Sequence, residues 1–334
     1  MDELLKSKAD KIIAIHDTIK HEFRWTSDEL TCYFTSLIFA LSDKELNVEQ
    51  FSDIRKFIKD NTSLFSHYRS YELFTITALL ITKFDNPRES FMKLLLCESK
   101  LSDTGFKKGH YLAISALAVM LTCKDNEIDE QILRAREIYK KIKEKHFWLT
   151  GQDDYPLSVL IAASKENEAS IMTEIELCYD TLHEEGFSRS NGLQQLSHIL
   201  SFGTGSAQNK ARRCRVIIDY LKEHKIHVYS QHYGLLGVIA LSGDSSTKLL
   251  DEIIEVVQYL REERSVRWLG RETVFLISSS LVCNKYIEDA KMDKRVLEAS
   301  IGISLEALIA AQIAASVAVI AATSAAASAS SSSS

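Results

Sequence analysis

The chain has 334 residues, of which 46% are hydrophobic, and its 46 acidic side chains against 40 basic ones give a net charge of -6. That length allows two globular domains or one elongated repeat array, each with a sizeable core, and only two prolines, Pro87 and Pro156, favour helices throughout. A mild acidic excess spread along the first three hundred positions argues against the basic face of a general nucleic-acid binder, so no nucleic-acid partner is expected.

In chain order, residues 1–27 read as a leading amphipathic helix, with Leu4, Leu5, Ile12, Ile15 and Ile19 on one side. Acids and bases are threaded through it and it has no apolar h-region, so a secretory signal is not expected. The chain turns at Arg24 to Ser27, and residues 28–300 read as a helical-hairpin repeat domain. Its clearest copy runs from Tyr233 to Trp268: one apolar helix, a Gly-Asp-Ser turn at Gly243, and a second helix with Leu249, Leu250, Ile253, Ile254, Val257 and Leu260 at three-and-four spacing. First-helix anchors recur at Tyr33, Tyr71, Tyr111, Tyr155, Gln194, Tyr233 and Thr273, in steps of 38 to 44 residues. Second-helix anchors recur at Phe57, Tyr139, Tyr179, Tyr220 and Tyr259, with Phe65, Phe147, Phe187 and Val228 eight positions after the first four and Trp268 nine after the last.

Turn residues supply a third register. Asn86-Pro87, Asp125-Asn126, Asn167, Gly203 to Gly205 and Gly243-Asp244 punctuate the hairpins. Asn86 and Pro87 suit an N-cap and first helical residue, because proline has no amide hydrogen to leave unpaired there. A period near 40 built of paired helices matches HEAT-like units. The expectation is therefore an all-α protein, an α-solenoid-like array of about six hairpins that bury their apolar faces by stacking. A compact all-α domain built by duplication shares the same periodicity and stays open.

The end changes character. Residues 301–327 read as an Ala-rich helix, uncharged from Ala307 onward, and 328–334 as a Ser-rich disordered tail. The stretch 307–327 is long enough to span a bilayer. Alanine gives little drive for insertion, and Gln312, Ser316, Thr323 and Ser324 oppose it, so packing on the array or on another subunit is the favoured reading over membrane contact. Its small-residue face would let two helices approach closely, which makes a homo-oligomer an expectation. The six cysteines, Cys32, Cys97, Cys123, Cys178, Cys214 and Cys283, are widely spaced in apolar segments, as in reduced core thiols of a cytoplasmic protein.

Candidate chemistry is thin. Asp153 and Asp154 lie in the polar loop Thr150 to Pro156 and could bind a cation or act as acid and base, against the simpler reading that Asp154 caps a helix and Asp153 favours its N-terminus. His224, His227 and His232 gather near Cys214, but no Cys-x-x-Cys pair accompanies them and they fall where a helix runs out, so a metal site is the minor reading. Phe202 to Ser206 followed by Lys210 lacks both the Gly-Lys-Ser/Thr run and the preceding strand of a phosphate loop, and reads as a turn. Arg212, Arg213 and Arg215 in one unit and Arg264 and Arg267 in the next would form a basic ridge for an acidic partner if the units stacked, although a solvated, salt-bridged surface is the default. No catalytic residue, cofactor or metal ligand is assigned, and the tyrosine anchors read as packing residues.

Trp148-Leu149-Thr150-Gly151 running through Asp153-Asp154-Tyr155-Pro156-Leu157, the segment Leu193-Gln194-Gln195-Leu196-Ser197-His198-Ile199-Leu200 and the Ala/Ser-rich end resemble a family of uncharacterised bacterial proteins, domain of unknown function 4003, over nearly the whole chain. The resemblance implies no activity. The expected function is a non-catalytic scaffold that holds a protein or peptide partner on the concave face of its hairpins. The alternatives are an enzyme or metal-binding protein with a site near Asp153/Asp154 or His224/His227/His232, and a membrane-associated or self-assembling protein acting through its tail.

Overall fold

The structure is a computed structural model that describes residues 1–24, 28–64, 66–70, 72–163, 167–242 and 247–292. The Ala-rich helix, the Ser-rich tail, the Gly243-Asp244 turn, Tyr71 and Phe65 lie outside the described residues. Among those described, the chain is all-helical, with fourteen α-helices. They are α1 (Glu3–Phe23), α2 (Glu29–Ala40), α3 (Val48–Asp60), α4 (Glu72–Lys83), α5 (Pro87–Asp103), α6 (His110–Thr122) and α7 (Ile128–Lys145), followed by α8 (Tyr155–Ala163), α9 (Glu168–Glu184), α10 (Asn191–Leu200), α11 (Ala207–Glu223), α12 (Tyr233–Ser242), α13 (Thr247–Glu262) and α14 (Arg271–Met292).

Two kinds of helix alternate. The odd-numbered ones carry one apolar stripe: α7 buries Ile128, Ile132, Ala135, Ile138 and Ile142 and leaves Lys and Glu outside. Even-numbered helices are buried nearly all round, as in α4, where every residue from Glu72 to Thr82 is covered. A helix apolar on every side must sit in the centre. The serines and threonines on these inner helices are compatible with burial because their hydroxyls donate to carbonyls one turn back, as Thr35 does to Thr31 O at 2.7 Å and Ser280 to Leu276 O at 2.8 Å. Side-chain caps start many of the helices. Asp28 accepts from Thr31 N–H at 2.9 Å, Asn167 from Ala169 N–H at 2.9 Å, and Asn86 caps α5 with Pro87 at its first position, as its sequence implies.

Inner helix packs on inner helix around the molecule: α2 on α4, α6 on α8, α8 on α10, α10 on α12 and α12 on α14, with α5 set against both α4 and α6. The series then closes, because α14 packs on α2 and on α1, and α13 packs on α1. The same contact between successive outer helices reappears across that seam. The Tyr220 hydroxyl on α11 donates to Asp251 on α13, and the Tyr259 hydroxyl on α13 donates to Asp10 on α1. Tyr33 O–H to Ser265 Oγ at 2.7 Å, Lys285 Nζ to Asp2 Oδ2 at 3.1 Å and the N-terminal amine to Glu255 Oε2 at 3.1 Å join the two ends further.

Chain neighbours also pack closely: α1 with α2, α5 with α6, α7 with α8, α9 with α10 and α13 with α14. Of these, α7–α8 and α13–α14 are joined by long connections, residues 146–154 and 263–270. The sequence reading had paired helices across the short turns, such as α12 with α13, and its boundaries left α1 outside the repeats; α1 instead packs as the partner of α2. A 40-residue period is the same wherever the unit is cut, so periodicity cannot say which neighbour shares a hairpin.

Candidate functional site

The starts of the even-numbered helices are joined in pairs, α4 to α6, α8 to α10 and α12 to α14. Gln194 Nε2 on α10 donates to Asp154 Oδ1 just before α8 at 3.2 Å. His110 opening α6 is hydrogen-bonded to Glu72 opening α4, and His232 before α12 meets Glu272 in the first turn of α14 at 3.2 Å. These three bonds span 40, 38 and 40 residues, close to the period of about 40 expected from the sequence. A second set spans about three-quarters of a repeat: Tyr68 to Glu98 over 30, His146 to Glu176 over 30 and Tyr220 to Asp251 over 31.

The end marked by these starts holds the long connections, and four inner helices carry an acid at their start with a histidine beside it. Carboxylates there offset the positive helix ends. His16 Nε2 lies 3.0 Å from Glu29 Oε1, His110 bonds Glu72, and His232 bonds Glu272. His198 Nδ1 stands 3.9 Å from Asp154 Oδ1. Glu72 holds His110 above the usual imidazole range, while burial lowers His16 and His232.

The Asp154 member is sealed from solvent. Asp154, Gln194 and His198 are all buried, and the two segments that carry the family resemblance meet here. Asp154 Oδ2 accepts from Gly151 N–H at 2.9 Å and Gln194 Nε2 also donates to Thr150 Oγ1 at 3.0 Å. Asp154 therefore reaches back across a short 3₁₀ turn (Gln152–Asp154) instead of capping α8 through one of that helix's own amides. Burial, with Asp153 next to it, pushes Asp154 up to about 8, and burial pushes His198 down to about 3. At neutral pH both are uncharged, so their 3.9 Å approach is a contact of neutral groups, not an ion pair. Asp153 is only half-buried; burial raises it, and hydrogen bonds from its own backbone N–H and from the Asn191 side chain partly oppose that rise. Asp154 is only 2% exposed.

The other sequence candidates separate. His224 Nδ1 bonds its own helix at Tyr220 O at 2.9 Å, His227 packs on Tyr229, and His232 is held by Glu272. Among the described residues no group of three or more His, Cys, Asp or Glu is arranged to hold a metal ion. Arg213 and Arg215 have separate partners. Arg213 donates to Ala240 O at 2.7 Å, Arg215 pairs with Asp219 at 3.0 Å, and Arg212 is exposed on α11. Arg264 is exposed on the α13–α14 connection. Arg267 instead joins Lys225, Arg261, Arg271 and His224 around a cleft of about 410 Å³.

A second cleft, of about 630 Å³, opens between the α3–α4 connection and α5. His67, Tyr68 and Glu98 line it, with Glu72 and His110 behind. Sequence reading missed this group and the Gln194–His198 pair, because their partners come from neighbouring repeats. The available signal was spacing: Glu72 and His110 stand 38 residues apart, and Asp154 and Gln194 stand 40 apart.

Among the described residues the three most exposed large apolar side chains, Trp148 (91%), Trp268 (87%) and Leu64 (78%), all lie on these same-end connections, as do Phe147 and Tyr229. Phe147 and Trp268 were expected to be packed spacing marks and are not. Phe106 and Phe187 are buried, but after α11 it is Ile226 that is buried, while Val228 is only partly covered.

Fold and site define an all-helical protein of alternating inner and outer helices, with its long connections and clefts gathered at one end. The chain belongs to the family described as protein of unknown function (DUF4003), whose sequence profile matches residues 15–314. It is similar to "Uncharacterized protein YeaA" of Bacillus subtilis (strain 168), with 24% identity over 312 residues and 92% of each chain covered. No solved structure matches it. Among the described residues, no helix is long and apolar enough to cross a membrane; the membrane reading concerned residues 307–327, outside them.

Proposed function

We propose that this protein is a non-catalytic helical-repeat scaffold, its hairpins of about 40 residues closed into a ring, which holds a protein or peptide partner against the end that carries the long connections. The observation that carries this reading is the exposure of Trp148, Trp268, Leu64, Phe147 and Tyr229 on that one end. The remaining exposed large apolar residues are at Met1 or on odd-numbered helices, spread over the outer wall. Tryptophan and tyrosine are enriched among the residues that dominate protein interfaces. A concave inner face, the surface first expected to bind, is replaced in this reading by the rim, since the inner helices are covered on all sides.

A cytoplasmic setting is part of the proposal. The six cysteines support it: five of them are buried, and burial raises Cys97 and Cys123 to about 11 and Cys178 and Cys214 to about 12. Thiols held protonated in this way are inert. The test is site-specific photocrosslinking in cells that make the protein, with the crosslinker at Trp148 or Trp268 and, as control, at Leu133 on the outer wall. A discrete adduct from the two rim positions alone is the expected result. Adducts of equal yield at Leu133, or none at the rim, would overturn the reading.

A further inference from the structure

We propose that the cleft between the α3–α4 connection and α5 binds a small ligand through a primary ammonium group. Glu98 lines it and Glu72 stands behind His67, each carboxylate with one oxygen already anchored. The Tyr68 hydroxyl donates to Glu98 Oε2 at 2.8 Å, and His110 Nδ1 is hydrogen-bonded to Glu72 Oε1. The other oxygens face a single ring nitrogen: His67 Nε2 lies 4.0 Å from Glu72 Oε2 and 3.9 Å from Glu98 Oε1. Those distances exceed a hydrogen bond. Glu72 is only 5% exposed, and its Oε2 and His67 Nε2 are both buried without a hydrogen-bond partner. A buried polar atom left unpaired costs about 1–3 kcal/mol, more when charged.

The missing chemistry is a donor. Carboxylate oxygens only accept, and a neutral imidazole with its proton on Nδ1 accepts at Nε2. A nitrogen set between two such atoms 4.0 Å apart can lie about 2.8 Å from each. An ammonium brings three N–H donors and a positive charge, whereas a hydroxyl brings one donor and leaves the carboxylates uncompensated. A divalent transition metal fits less well, since ligand atoms about 2.0–2.1 Å from zinc stand about 3.3 Å apart in a tetrahedron. The rim is polar, with Ser99, Ser102, Asp103 and Lys108, and the volume of about 630 Å³ accommodates a diamine of a few carbons. The proposal does not depend on the partner-binding reading.

The experiment is titration calorimetry on the full chain with 1,4-diaminobutane, alongside 1,4-butanediol, which lacks the charge, and tetramethylammonium, which lacks the N–H donors. Saturable one-to-one binding of the diamine alone is expected. Glu98→Gln, which keeps an acceptor for Tyr68, should weaken it at least tenfold. His67→Ala alters a partly exposed side chain, so it should fold and also lose affinity, which keeps the test decisive if the first variant is unstable. Equal binding of the diol or of tetramethylammonium, unchanged affinity in both variants, or no amine binding would overturn the proposal. So would one-to-one uptake of Zn²⁺ that Glu98→Gln abolishes while the diamine fails to bind.

Discussion

Asp154→Asn changes one atom and removes one titration. In the folded chain Asp154 keeps its proton up to about 8, because burial and Asp153 oppose its charge; unfolded, it would ionise near 4. Below about 4 both states are protonated and nothing is lost. As pH rises from there the unfolded state releases its proton first, so stability falls by about 1.4 kcal/mol per pH unit until the folded pKa is passed. The full loss is on the order of 5 kcal/mol, complete a little above pH 8. His198 tilts the other way. Its folded pKa of about 3 lies below the unfolded value near 6.5, so it costs stability as pH falls through that window. The two slopes cancel between about pH 4 and 6.5, and the parent's own decline from this pair is confined to about pH 6.5–8.

The asparagine can be accommodated. Its oxygen can accept from Gly151 N–H, and rotating the Gln194 amide would turn Oε1, which has no partner, toward the new NH₂. Urea unfolding followed by circular dichroism at constant ionic strength, every half unit from pH 5 to 9, measures the difference. The stability of Asp154→Asn relative to the parent should rise by about 1.4 kcal/mol per pH unit between pH 5 and 7.5, then level off. Parallel curves would mean that Asp154 is ionised in the fold, and would refute the reasoning.

Gly192→Ala should cost at least about 2 kcal/mol in urea unfolding, because its Cβ would stand 1.8 Å from Ser230 O; Gly270→Ala, with nothing within 4 Å, is the control and should stay within about 1 kcal/mol. Lys225 is the one non-glycine with positive φ among the described residues, at 60°, and it closes α11 as Gly105 closes α5 and Gly186 closes α9. Lys225→Gly should therefore raise stability by about 1 kcal/mol, seen as a higher melting temperature. A thiol reagent at pH 8 should modify Cys123 slowly and the five buried cysteines only on unfolding, counted by mass spectrometry.

Local rules were legible in the sequence. Period, caps and stripes all depend on residues within one helix or one turn, which is why Asn86-Pro87 and Asn167 sit where expected. Relations between repeats were not. The same spacing fits an array cut after either helix, so nothing in it distinguished α12 with α13 from α13 with α14. Nor does periodicity tell whether the last unit meets the first; the bond from Tyr259 to Asp10 joins residues 249 apart. Burial of Asp154 was hidden for a related reason, since the residues that seal it, Gln194 and His198, belong to the next unit. Trp268 was misplaced because apolar character alone cannot separate a packed aromatic from an exposed one.

Closure of the ring is tested most directly by one distance. Spin labels at Lys6 on α1 and Gln258 on α13 would sit on neighbouring outer helices, where Lys6 Nζ now lies 6.0 Å from the Tyr259 ring centroid. Pulsed electron resonance on the full chain should give a single narrow distribution below about 25 Å, as expected for adjacent helices 8–10 Å apart plus label length. Seven stacked pairs in an open array would separate the same labels by about 60 Å, and a distribution centred there would contradict the closed fold.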